Sequence, residues 1–267
     1  MPAGCLWLPA SVWTWKRTSW ARPPQAARRT SVCSARRTLT DPNLLEPLAA
    51  DLWVASRPLP LWFGDVGTRM TVIRIGGELL LHSPVAPAPA LREALDGLGT
   101  VRWLVAPSRL HHFFLRDFAR AYPAAELCGA PGLEAKLGDL ALHHVLEDAW
   151  DAPWRGEVLH HLFAGAPGMN EVVLLHRPSR TLVLTDLAFN VESREQSRAR
   201  IFHALVGAVG RFGPHRLARA YIRDRAAARA SRDRILAWDF ERVVVAHGAV
   251  LERNGRQRLA EAFAFLG

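Results

Sequence analysis

Short apolar runs separated by turn residues begin near Leu44 and continue through the first half of the chain. Residues 51–55, 69–75 and 78–84 each have the length and apolar character of a β-strand, and Gly76-Gly77 joins the last two. Paired glycines between two such runs are typical of a tight hairpin, because glycine accepts the positive φ angles that the turn requires. The pattern therefore predicts an antiparallel sheet at the start of the folded region.

Helical spacing of apolar residues appears after these strands. Residues 88–98 carry leucines at helical intervals, and a continuous apolar run follows at residues 101–106. Beyond that run, Leu115, Phe118 and Tyr122 share one face of a second predicted helix. The order helix, buried strand, helix indicates that part of the sheet is covered by helices on its outer face.

The second half of the chain repeats this order. Residues 170–176 and 181–186 predict a hairpin that ends in a carboxylate, and residues 242–246 predict a buried strand. Residues 195–240 are predicted to be helical, with a break at Gly213-Pro214. Strands followed by helices in each half predict an α/β (α+β) domain, with two sheets in the middle and helices outside.

The first 40 residues differ in composition from the rest of the chain. They hold seven of the 34 Lys and Arg residues and have no Asp or Glu. We expect residues 1–43 to be a disordered or transit-peptide-like extension, and residues 44–267 to form one domain. A cytoplasmic location is predicted, with a plastid or mitochondrion as the alternative if the extension is a transit peptide.

Charge and cysteine usage exclude several classes of protein. Because the basic excess of +9 is concentrated in the extension, the rest of the chain is nearly neutral, and no nucleic-acid partner is expected. The three cysteines show no CxxC spacing, which argues against a disulfide framework or a cysteine zinc module. No apolar run approaches the roughly 20 residues that span a bilayer, so a soluble protein without a membrane span is predicted.

Four possible metal ligands lie just beyond apolar strands. His111 and His112 follow residues 101–106, while Asp186 and His247 each follow a strand of the second half. Strand ends at one sheet edge are where α/β folds gather their sites, and this nitrogen and oxygen set suits Zn²⁺, with Fe or Mn as alternatives. In the alternative reading no metal is bound, and these residues cap helices, form turns or hydrogen-bond within the loops.

Several segments, taken in order, resemble the metallo-β-lactamase superfamily, and in particular a divergent branch described only as a domain of unknown function. The similarity covers roughly residues 45–265 and rests on Arg69-Met-Thr-Val72, His82-Ser-Pro84, His111-His-Phe113, and Ser179-Arg-Thr-Leu182 with Asp186. The resemblance implies a four-layer αββα sandwich in which metal ligands lie at strand ends. It also implies the activity of a metal-dependent hydrolase.

The superfamily signature H-x-H-x-D-H falls on residues 107–112, and this chain departs from it. Pro107 and Arg109 stand at the first two histidine positions, His111 replaces the aspartate, and His112 retains the last histidine. A further ligand histidine should lie near residues 166–167, which are Ala-Pro here. The resemblance therefore implies that one half of the usual two-metal site has been lost.

The other half of the implied site remains. Asp186 matches the bridging carboxylate and His247 the final histidine, so together with His111 and His112 they are predicted to hold one divalent ion. His82 is expected to support the ligands or to face the substrate, with packing in the interior as the alternative. Arg109 is expected to pair with an anionic substrate or with Asp186.

Two functions follow from this interpretation. The first is a metal-dependent hydrolase of unknown small-molecule substrate, with a degenerate, at most single-metal site. The alternative is a catalytically inactive pseudo-enzyme that uses the fold to bind a ligand or partner, with Arg109, Phe113, Phe114 and Trp62 lining its pocket.

Overall fold

The computed structural model describes residues 45–62, 64–192 and 199–267. The expected N-terminal extension, residues 1–43, lies outside these ranges, as do residues 193–198 of the region predicted to be helical. The described residues belong to one compact unit. Among their helices, none is both long enough and apolar enough to cross a bilayer.

A seven-stranded sheet dominates the first half of the chain. Its described elements are, in chain order, β1 (Glu46–Ala49), β2 (Leu52–Arg57), β3 (Pro60–Leu61), β4 (Gly64–Asp65), β5 (Thr68–Ile75), β6 (Glu78–His82), α1 (Pro89–Leu98), β7 (Thr100–Ala106), α2 (Leu115–Ala121), β8 (Glu126–Gly129), α3 (Glu134–Leu137) and β9 (His144–Val145). The sheet runs β1-β2-β5-β6-β7-β8-β9, while β3 and β4 pair separately. Strands β6 to β9 are parallel neighbours. The predicted hairpin at Gly76-Gly77 is confirmed as the antiparallel connection between β5 and β6.

A four-stranded sheet organises the second half. The described elements are β10 (Val158–Leu162), β11 (Val172–His176), β12 (Thr181–Val183), β13 (Phe189–Asn190), α4 (Ala199–Leu205), β14 (Phe212–Gly213), α5 (Arg216–Ala220), α6 (Arg225–Leu236), β15 (Arg242–Val244), α7 (Gly255–Ala262) and a 3-10 helix (Ala264–Leu266). The sheet order is β10-β11-β12-β15. The predicted β11–β12 hairpin is confirmed, and the parallel pairing of β12 with β15 brings their carboxyl ends to the same edge.

The two sheets share an apolar core, and β6 shows how the strand period produces it. Leu80 packs in the same cluster as Leu174 of the second sheet, whereas Leu79 and Leu81 pack with Leu95 of α1. Because successive strand residues point to opposite faces, β6 buries leucines on both sides. The first sheet is therefore covered by helices on one face and by the second sheet on the other.

Helices also cover the outer face of the second sheet. Leu175 and Val243 pack there against Ile235 of α6 and Leu259 of α7. Together with the shared core, this arrangement gives the layers α-β-β-α. The predicted four-layer sandwich of the α/β (α+β) class is confirmed.

The prediction that residues 195–240 form helices interrupted only at Gly213-Pro214 is wrong for the described part of this region. Helix α4 already ends at Leu205, and residues 212–213 form β14, which pairs with β13. Gly207 and Gly210 both have φ of 73°, a conformation that ends a helix. The alanine-rich and arginine-rich pattern is compatible with a helix and does not reveal this interruption.

Candidate metal centre

Three of the four predicted ligands converge at the sheet edge. His111 lies in the loop after β7, Asp186 in the turn after β12, and His247 directly after the β15 strand region. His111 Nε2 is 3.3 Å from Asp186 Oδ2, and His247 Nε2 is 3.6 Å from Asp186 Oδ1. The two Nε2 atoms are 3.3 Å apart. All three side chains are largely buried, so this group is shielded from bulk water.

The orientation of His247 is fixed on both sides of its ring. Its Nδ1 lies 2.8 Å from the carbonyl oxygen of Gly67, which can only accept, so Nδ1 carries the proton. The ring stacks on Phe189, with centroids 5.1 Å apart and an interplanar angle of 7°. Nε2 is therefore the ring atom that faces the carboxylate of Asp186.

Ser83 orients His111 in a similar way. Its Oγ is 2.8 Å from His111 Nδ1, and a hydroxyl that accepts this N–H leaves Nε2 free to bind a cation. Ser83 has φ of 56°, a left-handed conformation that is uncommon outside glycine, and it is buried. Ser108 adds support from the other side of the loop, because its Oγ accepts the backbone N–H of His111 at 3.1 Å.

Glu171 holds the turn that carries Asp186. Its carboxylate accepts the backbone N–H groups of Thr185, Asp186 and Leu187 at 2.6, 2.7 and 2.9 Å. Glu171 is completely buried, and this burial, together with the charge of Asp186, raises its pKa to about 7. The turn therefore depends on a carboxylate that has little solvation of its own.

Two imidazoles determine the ionisation of Asp186. Burial by itself disfavours its charged form, but the neighbouring His111 and His247 outweigh burial and hold the pKa of Asp186 well below its usual range. The carboxylate is therefore negative at neutral pH. A negative oxygen and two imidazole nitrogens gathered close to one point form a site for a cation.

The donor set fits a divalent metal ion. With bonds of about 2.0–2.2 Å, a tetrahedral ion separates its ligand atoms by about 3.3–3.6 Å. The two imidazole nitrogens are 3.3 Å apart, and each lies 3.3 or 3.6 Å from one of the two oxygens of Asp186. Two unprotonated nitrogens 3.3 Å apart repel each other unless a proton or metal ion lies between them. Within the described residues, this is the one group of three or more His, Cys, Asp or Glu side chains close enough to share an ion. Three protein ligands leave a fourth position open, as in catalytic zinc sites.

His112, the fourth predicted ligand, lies outside this group. Its ring stacks on Phe113 with centroids 5.3 Å apart, and its Nδ1 is buried with no hydrogen-bond partner in the described residues. Burial, followed by the charges of Lys136 and His111, lowers the pKa of His112 to about 4. His112 is therefore a neutral neighbour of the site and lies outside the three-residue group.

Arg109 and His82 occupy different environments. Arg109 forms no ion pair with Asp186 in the described ranges, and its guanidinium instead donates to the carbonyl oxygen of Pro167 at 3.0 Å. His82 is 1% exposed, and its Nε2 has no partner among the described residues. Burial and the nearby His111 lower the pKa of His82 to about 3. His82 thus lies behind His111 in the protein interior.

The structure also adds three groups that the sequence pattern does not mark: Ser83, Glu171 and the Gly67 carbonyl. Ser83 could have been found, because it lies directly after a strand, as the predicted ligands do. Glu171 precedes an apolar run and is indistinguishable from an ordinary strand boundary. A backbone carbonyl such as that of Gly67 has no sequence signature.

Acid should destabilise the protein through His82. Because its pKa is about 3 in the folded protein and about 6.5 in an unfolded chain, the unfolded state takes up the proton first as pH falls. The stability that neutral His82 contributes is complete above pH 6.5 and declines between pH 6.5 and 3, by at most about 1.4 kcal/mol per pH unit. In urea unfolding at pH 6.5, 5.5 and 4.5, His82→Leu should show a shallower decline than the wild type. Equal slopes would contradict this assignment.

Known proteins resemble this chain in two ways. The family model described as a domain of unknown function, DUF4336, matches residues 51–204. No curated protein matches the sequence. Solved metallo-β-lactamases match the structure at low identity, which bears on the fold alone.

Three of these structures illustrate the extent of the match. FIM-1 from Pseudomonas aeruginosa, solved in its mono-zinc form, is 12% identical with a TM-score of 0.57, over 83% of this chain and 95% of that one. The enzyme from Pontibacter korlensis is 12% identical with a TM-score of 0.58, over 84% and 98%. The enzyme from Erythrobacter litoralis is 13% identical with a TM-score of 0.60, over 83% and 96%. The chain thus has the metallo-β-lactamase fold and, since the family model spans more than half of it, belongs to the DUF4336 family.

Proposed function

We propose that this protein is a metal-dependent hydrolase with a single-metal site formed by His111, Asp186 and His247. The observation that carries the proposal is the convergence of two imidazole nitrogens and one ionised carboxylate, 3.3 to 3.6 Å apart, in a largely buried position. Zn²⁺ suits this donor set best, and Fe or Mn are the alternatives. The substrate is proposed to be a small molecule.

Each residue has a distinct task in this proposal. Gly67 and Ser83 keep the two imidazoles oriented, so that both present Nε2 to the shared point. Asp186 supplies the negative charge, and Glu171 holds its backbone in place. A divalent ion bound there would lower the pKa of a water molecule and polarise a carbonyl or phosphoryl oxygen.

A single ion is proposed because the second half of the superfamily site has no ligands in this chain. Pro107, Arg109 and the Ala166-Pro167 pair stand at the positions of the missing histidines. Arg109 contacts Pro167 directly, so the two altered segments pack against each other. Hydrolysis by two bridged ions is therefore not part of the proposal.

The second candidate is a binding protein without turnover. Exposed aromatic residues favour it, since Phe113 is 50% exposed beside His112 and Trp62 is 87% exposed in the turn between β3 and β4. Such side chains suit the capture of an apolar ligand. In that case the three-residue group would have a structural role.

Chelation and metal return would separate these candidates. Protein purified without a histidine tag should hydrolyse a panel of aryl esters and aryl phosphodiesters, lose the activity with a chelator, and regain it with about one equivalent of Zn²⁺, Fe²⁺ or Mn²⁺. Asp186→Asn, which keeps the size and removes the charge, should abolish the activity. Hydrolysis that neither the chelator nor Asp186→Asn affects would sink the proposal, while metal binding without turnover of any substrate would favour the binding protein.

A further inference from the structure

Two basic side chains and one neutral imidazole lie together beside the proposed metal centre. Lys136 Nζ donates to the backbone carbonyl of Arg109 at 2.7 Å. Burial and then the charge of Arg109 lower the pKa of Lys136, and Lys136 in turn acts electrostatically on His112. Arg109, Lys136 and His112 therefore form a local cluster, which we call the basic cluster.

No carboxylate of the described residues neutralises this cluster. Neither Arg109 nor Lys136 takes part in an ion pair there, whereas the nearby Arg116 pairs with Asp139 at 2.6 Å. Other partly exposed arginines are paired as well, in Arg74–Asp51, Arg102–Glu126 and Arg242–Glu252. The basic cluster thus keeps a positive charge, whereas the other arginines named here are neutralised by a carboxylate.

The cluster also holds unused hydrogen-bonding groups. Arg109 Nε and His112 Nδ1 are both buried and lack a hydrogen-bond partner in the described ranges. Burying a donor without a partner costs about 1–3 kcal/mol, so such groups call for an acceptor. An external oxyanion would provide one.

Arg109 is held in place before any ligand binds. Its backbone N–H donates to the Met169 carbonyl at 2.9 Å, and its guanidinium to the Pro167 carbonyl at 3.0 Å. Its side-chain stem lies against Gly132, where an added Cβ would meet Arg109 Cδ at 3.8 Å. A pre-ordered guanidinium loses little rotamer freedom on binding an oxyanion.

We propose that the basic cluster is an anion subsite, which receives a negatively charged phosphate or carboxylate group of the substrate while His111, Asp186 and His247 act on a neighbouring bond. Its position supports this, because Arg109 and His112 lie in the same loop as His111. Charge-assisted hydrogen bonds from guanidinium and ammonium groups are the strongest that the protein can offer to such a group. The inference rests on the proposed hydrolase function and narrows its substrates to anionic esters or phosphoesters.

Phosphate titration of the metal-free protein tests the subsite without using the metal. Inorganic phosphate, followed by calorimetry at pH 8 and low salt, should bind the chelator-treated wild type. Lys136→Ala and Arg109→Ala should each weaken this binding at least about tenfold, which corresponds to about 1.4 kcal/mol. Arg109→Lys should retain part of it, and acetate in place of phosphate shows whether a carboxylate is also accepted.

Controls separate a specific site from general charge. Arg253→Ala removes one exposed positive charge elsewhere, and Arg116→Ala removes a paired arginine nearby. Both variants should bind phosphate like the wild type. Lys136 is exposed, so its alanine variant tests the cluster even if Arg109→Ala fails to fold. No phosphate binding by the wild type, or an equal loss in Arg253→Ala, would overturn the subsite. Zinc content is measured in a separate experiment. The phosphate result therefore stands even if the protein binds no metal, and the metal result stands even if it binds no phosphate.

Discussion

Replacing His247 by alanine is expected to reduce bound zinc from about one equivalent to less than about a tenth after dialysis, because only two protein ligands remain. His111→Ala and Asp186→Ala should have the same effect, since each contributes one atom to the same group. The measurement is elemental analysis of protein purified without a histidine tag. A chain that never carried zinc, iron or manganese would show no difference between the wild type and these variants.

His112→Ala is the matched control for that experiment. It removes an adjacent, partly buried imidazole that lies outside the group of three. We expect this variant to keep about one equivalent of metal, since the three remaining ligands suffice for a catalytic type of site. Loss of metal in His112→Ala would return His112 to the ligand set and contradict the geometry described above.

Replacing Glu171 by alanine is expected to destabilise the folded protein by about 3–5 kcal/mol, because three backbone N–H groups lose their acceptor in a buried place. The same change should weaken zinc binding, since the turn that carries Asp186 loses its anchor. Urea unfolding at pH 8 and a zinc competition assay measure the two effects. The reason for pH 8 is that it lies above the Glu171 pKa of about 7, so the carboxylate is largely ionised.

Two further variants test whether the loss of stability comes from the hydrogen bonds of Glu171. Glu171→Gln keeps one carbonyl acceptor and the volume of the side chain, so it should fall between the wild type and Glu171→Ala in stability. Glu147→Ala removes an exposed carboxylate and should change stability by less than about 0.5 kcal/mol. Equal stability of the wild type and Glu171→Ala would falsify the anchoring role.

The sheet edge that carries the site was accessible to sequence reasoning for a definite reason. Apolar runs identify buried strands, and a polar residue directly after such a run lies at the strand end. Because β12 and β15 are parallel neighbours, Asp186 and His247 necessarily meet at one edge once both strands are recognised. The same argument correctly places His111 after β7.

The same reasoning does not distinguish His112 from His111, and it does not find Glu171. Neighbouring loop residues can point in different directions, and His112, whose ring stacks on Phe113, lies outside the group. The role of Glu171 can be recognised only from the register of the β11–β12 hairpin. Continuing the pairing of Leu174 with Val183 places Glu171 opposite Asp186, and that register is visible only when both strands are aligned.

Two contacts behind the metal centre join segments that are very far apart along the chain. His247 Nδ1 reaches the Gly67 carbonyl across 180 residues, and Arg69 Nη1 donates to the Val245 carbonyl at 2.6 Å across 176 residues. Closing such long loops costs entropy that only the docking of both sheets repays, so contacts of this kind form late in folding. We therefore expect the ligand geometry to form only after the two sheets have docked, so that a metal ion would bind after folding. A bound ion would then act as a cross-link between the two halves and slow their separation.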